Sequence, residues 1–147
     1  NHLPELAPRT VESLNLLRLR LEQTAPDAKI ILLTSTTPQE GKTTLALQFW
    51  QLLVPASGTT SRPALLLEHP RFARMVESCA PKFAYLLVDA PALSECSDAL
   101  SLAKVCDGAL LVVQSGGVTH QELRQAAHLL QGCGLPLLGT VLNRTPY

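Results

Sequence analysis

Three consecutive residues, Gly41, Lys42 and Thr43, carry the most concentrated chemistry in this sequence of 147 residues. They close the stretch Ser35–Thr44, STTPQEGKTT, and combine the groups that hold a polyphosphate. Glycine lets backbone N–H groups come close to the anion, the lysine ammonium adds a point charge at the outer phosphates, and the threonine hydroxyl can ligate Mg²⁺. The full pattern GxxxxGK[ST] would put glycine at Thr36, where it is absent. A strand-to-helix turn with a chance GKTT is the competing reading. The position of the motif, between an apolar strand and an amphipathic helix, favours the phosphate loop. Asp89 is the second candidate: it closes the run YLLVD and is followed by Ala90-Pro91. A carboxylate at a neighbouring strand end can hold Mg²⁺ or orient an attacking group. Alone, Asp89 reads as a cap of the next turn; beside the loop, the metal role is expected.

Such groups need a rigid frame. Five continuous apolar runs read as strands covered on both faces: Lys29–Thr34, Pro63–Glu68, Ala84–Asp89, Gly108–Gln114 and Leu137–Asn143. Helical patterns lie between them. Leu45, Phe49, Leu52 and Leu53 follow helical spacing after the loop. Thr119 and Glu122 form a capping box before Leu123, Ala126, Ala127 and Leu130, and Gly132 and Gly134 end that helix. Ser97–Cys106 reads as a shorter helix, and Thr10–Gln23 as an N-terminal one with the stripe Leu14, Leu17, Leu21. The alternation predicts a three-layer α/β/α fold of the P-loop NTPase kind, with a mainly parallel sheet of about five or more strands. One domain over residues 1–147 is expected, with Pro55–Pro63 as a surface loop and Asn1–Pro8 and Thr145–Tyr147 as mobile ends.

Composition narrows the classes. Apolar residues make up 46% and charged residues 16%, which favours a well-buried sheet over a disordered or coiled-coil chain. Twelve basic and twelve acidic residues balance, so the electrostatic footprint of a nucleic-acid binder is missing. No apolar run has the roughly 18 residues of a membrane span. Cys79, Cys96, Cys106 and Cys133 form no CxxC pair and read as reduced, mostly buried thiols of a cytosolic protein. His69, His120 and His128 read as surface residues and Trp50 as packing. The sequence begins at Asn1 without a signal-peptide pattern, as a processed chain or a piece of a longer one would.

Several segments together resemble one family. TSTTPQEGKTT is similar to the TSxxPGEGKTT loop of bacterial protein-tyrosine kinases of the capsular and exopolysaccharide type, and YLLVDAP to their Walker B segment, which normally ends in Asp-x-Pro-Pro. The stretch from Asp98 to Val113 resembles DAxxLAxxxDGxLLVV, Gly117-Val118-Thr119 a later G-x-T element, and Gly139–Arg144 the element GxVLNR. VESLNLLRLRLE resembles a helix, ExxRxxR, that packs subunits into rings. The resemblance spans most of Val11–Arg144. It implies ATP and Mg²⁺ as cofactors. Pro38, Gln39, Glu40, Gly41, Lys42, Thr43, Thr44, Asn143 and Arg144 would bind the nucleotide, with Asn143 at the adenine, although an Asn at a strand end also reads as a turn former. Thr43, Asp89 and Glu68 would serve the metal, and Lys42 and Asp89 catalysis. It further implies control of polysaccharide synthesis and export, a membrane co-polymerase or activator as partner, homo-oligomers through the Glu12/Arg18 helix, and a cytoplasmic location, either alone or as part of a membrane-associated chain. Related ATPases that partition DNA or position division sites share the general plan.

The departures predict weakened catalysis. Gln39 stands at a glycine of the family loop, so a positive φ there would strain it. The family's LLIDADLR reads LLLEHPR here: Glu68 keeps a carboxylate, and Pro70 cannot replace the second aspartate. The connection from Glu68 to the next strand is short, Asn15 replaces an arginine of the subunit helix, and a single Tyr147 stands where the family has a tyrosine cluster. Three readings follow: a tyrosine autokinase-like domain, a non-catalytic docking module for a co-polymerase, and a positioning ATPase.

Overall fold

The computed structural model describes residues 6–53, 72–94 and 102–144. The expected strand Pro63–Glu68, the loop before it, His69, Pro70, Cys96, Asp98 and Tyr147 lie outside the described residues, as do the side chains of Phe49, Trp50, Leu52 and Leu53.

Chain order is α1 (Pro8–Thr24), β1 (Ile30–Ser35), α2 (Lys42–Leu53), α3 (Phe72–Cys79), a 3₁₀ turn at Ala80–Lys82, β2 (Leu86–Asp89), β3 (Gly108–Gln114), α4 (His120–Gly132) and β4 (Leu137–Asn143). The four strands form one sheet in the order β2-β1-β3-β4, and all three pairings are parallel. Ile31 pairs with Leu87 on one side and Gly108 on the other, so β1 lies inside the sheet. Parallel neighbours need crossover connections, which puts helices on the sheet faces.

The strand side chains divide between two cores. Ile31, Leu33, Leu110 and Val112 face Leu14 and Leu21 of α1 and Leu45 of α2. Leu32, Val88 and Ala109 face Leu130 of α4 together with Leu102 and Ala103. Leu111 and Val113 continue that second layer onto Ala126. Because alternate residues of β1 and β3 enter opposite cores, their runs are apolar throughout. The three-layer α/β/α architecture is therefore present.

The bounds of α1 and of the four strands agree with the expected ones to within two residues, whereas α3 and the 3₁₀ turn fall where only a short connection was expected. Pro8, expected in a mobile end, is the first residue of α1. Proline suits that position because its missing N–H would have no helical acceptor there, and its φ is already helical. Of the expected helix Ser97–Cys106, residues 102–106 are described: Leu102 and Ala103 are helical, and the chain then leaves the helix through a turn at Lys104 and Val105, short of the expected end at Cys106. At Gly108 an added Cβ would stand 2.5 Å from Leu138 Cγ, so close packing of β3 on β4 requires glycine there. The expectation of mostly buried thiols is corrected: Cys133 is exposed and Cys79 only half-buried, because both sit at helix ends that face water. Cys106 fits it better, and burial pushes its thiol pKa up to about 12, with the charge of Asp107 adding to the effect. His120 and His128 are exposed, as expected. Among the described residues, no helix is long and apolar enough to cross a membrane.

Candidate functional site

The C-terminal ends of the four strands gather the groups that the sequence singled out, the edge at which open α/β sheets bind ligands. From Ser35, the end of β1, the chain turns through Thr36–Gly41 and enters α2 at Lys42. Two residues take left-handed backbone angles in that turn, Gln39 at φ +64° and Gly41 at φ +86°. The positive φ anticipated for Gln39 is thus present, on a side chain with a Cβ. Gln39, Gly41, Lys42, Thr43, Thr44 and Arg144 line an open cavity of about 330 Å³ over the start of α2. The first N–H groups of a helix have no intrahelical acceptor, so this cavity faces donors and the positive end of the α2 dipole.

Lys42 is held in place by its own loop. Its Nζ donates to Ser35 Oγ at 2.8 Å, and that hydroxyl donates to the Thr37 carbonyl at 2.6 Å. The ammonium keeps further protons for an anion. The Thr43 hydroxyl donates to Asp89 Oδ2 at 2.6 Å, so a loop residue and a neighbouring strand end come into direct contact. The segment after β2 fixes Asp89 there. It continues alongside the end of β1, with Ala90 N–H on the Leu33 carbonyl at 2.9 Å and Leu93 N–H on the Ser35 carbonyl at 2.8 Å. Thr34 Oγ1 donates to the Pro91 carbonyl at 2.9 Å. The other carboxylate oxygen, Asp89 Oδ1, is buried without a hydrogen-bond partner. A buried carboxylate oxygen left unmatched is costly, and a hydrated cation is the kind of group that satisfies it. The Thr43 and Asp89 oxygens therefore fit a divalent metal. Glu68, the third expected ligand, lies outside the described residues.

Glu40 faces inward. Only 2% exposed, its carboxylate accepts from Thr37 N–H at 2.8 Å and from the Thr37 hydroxyl through Oε1, and from Gln114 N–H at 2.9 Å through Oε2. Asn143, assigned to adenine by the resemblance, turns its carboxamide to the loop: Nδ2 donates to the Glu40 carbonyl at 3.0 Å, and Oδ1 accepts Arg144 N–H at 2.9 Å. Arg144, at φ +53°, donates through Nη1 to Gln114 Oε1 at 3.2 Å.

Lys42, Thr43, Thr44, Gln39, Gly41, Asp89 and Arg144 thus meet at one edge, with Glu40 and Asn143 beneath them. Pro38 is exposed on the turn. Glu12 and Arg18 stand far along the chain on α1, where Arg18 lies 3.8 Å from Glu22 of the same helix. Sequence reading missed Ser35, Thr37 and Gln114. Gln114 had a signal, since it ends an apolar strand run on the ligand-binding edge; the roles of Ser35 and Thr37 depend on loop conformation and had none.

No family model matches the chain. It is 30% identical over 93 residues to "Tyrosine-protein kinase CpsD" of Streptococcus agalactiae serotype III (strain NEM316), a match covering 63% of this chain and 40% of that protein. It is 31% identical over 96 residues to "Succinoglycan biosynthesis transport protein ExoP" of Rhizobium meliloti (strain 1021), covering 63% of this chain and 12% of ExoP. Among solved structures, the kinase domain of the Escherichia coli tyrosine kinase ETK superposes with a TM-score of 0.69 at 16% identity, over 100% of this chain and 85% of that one. The matched region spans about 40% of the length of the CpsD relative. The chain is homologous to bacterial tyrosine-protein kinases and shares the fold of their kinase domains.

Proposed function

We propose that this homologue of bacterial tyrosine-protein kinases is an ATP-binding domain of the tyrosine autokinase type that serves polysaccharide synthesis and export. The carrying observation is the cavity over the start of α2, with Lys42 at its floor and the Thr43–Asp89 pair beside it. In this reading the loop N–H groups and Lys42 bind the phosphates, and Arg144 adds a second cation at the rim. Thr43 and Asp89 would hold Mg²⁺, which when bound neutralises phosphate charge. Lys42 stabilises charge on the transferring group, and catalysis is mainly positioning and electrostatics. The name of ExoP, a succinoglycan biosynthesis transport protein, supports the polysaccharide role, and that of CpsD the tyrosine-kinase one; a membrane co-polymerase or activator is the partner this reading implies. α1, which carries Glu12 and Arg18, would pack copies of the chain together and associate it with a membrane-bound assembly at the cytoplasmic face.

Strain at Gln39 supports a second reading, in which the domain binds nucleotide but transfers phosphate poorly and acts as a docking module. Titration calorimetry with Mg-ATP tests both. The intact chain should give saturable heat, and Lys42→Ala should weaken binding about tenfold or more, the weight of a charged hydrogen bond. No heat from the intact chain would sink the first reading. With binding established, phosphotyrosine detected by mass spectrometry after incubation with ATP supports the kinase, and its absence supports the docking module.

A further inference from the structure

One loop side chain turns down onto β3 and one side chain from β4 rises to meet the loop, and we infer that Glu40 and Asn143 are positioning residues that hold Ser35–Thr44 open for a phosphate chain. The inference rests on the ATP-binding reading above. Burying a carboxylate as deeply as Glu40 requires several donors around it. Two come from Thr37 and close the loop upon itself; the third, Gln114 N–H, ties it to the end of β3. The backbone carbonyl of the same residue receives Asn143 Nδ2 from the end of β4. Gln114 and Asn143 are register partners, and Ser115 N–H donates to the Asn143 carbonyl at 2.9 Å, so the two anchors are joined to each other. One loop residue is thus clasped from two adjacent strands. Arg144 N–H on Asn143 Oδ1 fixes which end of the carboxamide faces the loop.

The next residue shows how close the clasp lies. A Cβ on Gly41 would stand 2.2 Å from Asn143 Nδ2, so the carboxamide occupies the space a side chain would need. Gly41 thereby serves two demands, the left-handed turn and the approach of Asn143. A loop held open before binding avoids the ordering cost of binding. The clasp acts through the backbone of the loop, without reference to a base, so its loss must weaken every phosphate chain alike.

The experiment uses Asn143→Ala, the isosteric Asn143→Asp, which removes the donor, and Glu40→Gln, which replaces an acceptor by a donor. Mg-ATP and Mg-tripolyphosphate are titrated into each, and hydrogen exchange of the 37–42 amides is followed without ligand. The expected result is faster exchange in those amides and a loss of affinity of about tenfold, equal for both probes, the weight of one hydrogen bond. A loss confined to ATP would make Asn143 a base-reading residue and overturn the inference, as would unchanged exchange. If the intact chain binds neither probe, the ATP reading falls, and exchange alone decides whether the clasp exists. If Asn143→Ala does not fold, the other two variants carry the same comparison.

Discussion

Gln39 holds its backbone at φ +64° beside Gly41 at +86°, and the two together turn the chain from β1 into α2. A side chain with a Cβ is destabilised in the left-handed region by about 1–2 kcal/mol. Glycine removes that strain but raises the entropy of the unfolded chain, by about 0.5–1 kcal/mol. Gln39→Gly should therefore stabilise the protein by about 0.5–1 kcal/mol, read as a higher urea midpoint at an unchanged slope. A midpoint that stays level or falls would show that the loop is not strained at this residue. The position was legible only through the resemblance, because the family loop carries a glycine where Gln39 stands. The inward turn of Glu40 was not legible: the resemblance assigned Glu40 to the nucleotide, and its contact with Gln114 N–H needs β3 placed beneath the loop.

At the scale of elements, α4 offers the cleanest test. The Glu122 carboxylate accepts from Thr119 N–H at 2.7 Å and from the Thr119 hydroxyl at 2.8 Å, while Glu122 N–H donates to that hydroxyl at 3.3 Å. The hydrogen bonds from Thr119 lower the pKa of Glu122 below its usual 4.5. A carboxylate with a lowered folded pKa contributes stability above the unfolded value of 4.5, and loses it as pH falls through the lower folded one. Thr119→Ala should cost about 1 kcal/mol at neutral pH, and the difference from the parent should shrink as pH drops below 4.5. Chemical denaturation at a series of pH values measures it, and a difference independent of pH would mean that the reciprocal Glu122 bonds add nothing. This cap was read correctly from T-x-x-E, since it is local. The tie between β1 and β3 was not legible: Asp107 accepts from Lys29 N–H at 2.9 Å and Ile30 N–H at 2.8 Å across 78 and 77 residues.

For the whole molecule, the position of α1 is the main question of integrity. Leu21 is 2% exposed within the core that contains Ile31, Leu33, Leu110 and Val112, whereas Leu16 on the same helix is 52% exposed. If α1 is one layer of the domain, Leu21→Ala should cost about 2–5 kcal/mol and Leu16→Ala under about 0.5 kcal/mol. Urea unfolding of the two variants separates this from a helix that only leans on the sheet, for which both costs would be small.

What the sequence determined by itself was local or periodic. Continuous apolar runs marked β1 to β4, helical stripes marked α1 and α4, and GKTT after β1 marked the edge where chemistry would gather. Such signals survive without a fold because each is written within a few residues of itself. Strand order, the contact of Thr43 with Asp89 across 46 residues, and that of Asn143 with Glu40 across 103 belong to the tertiary structure alone. Parallel pairing brings the ends of all four strands to one edge, so residues remote in sequence meet there, and hydrogen bonds between them have no local pattern to announce them. For that reason nothing in the sequence announces that Asn143 stands in the fold against the carbonyl before Gly41.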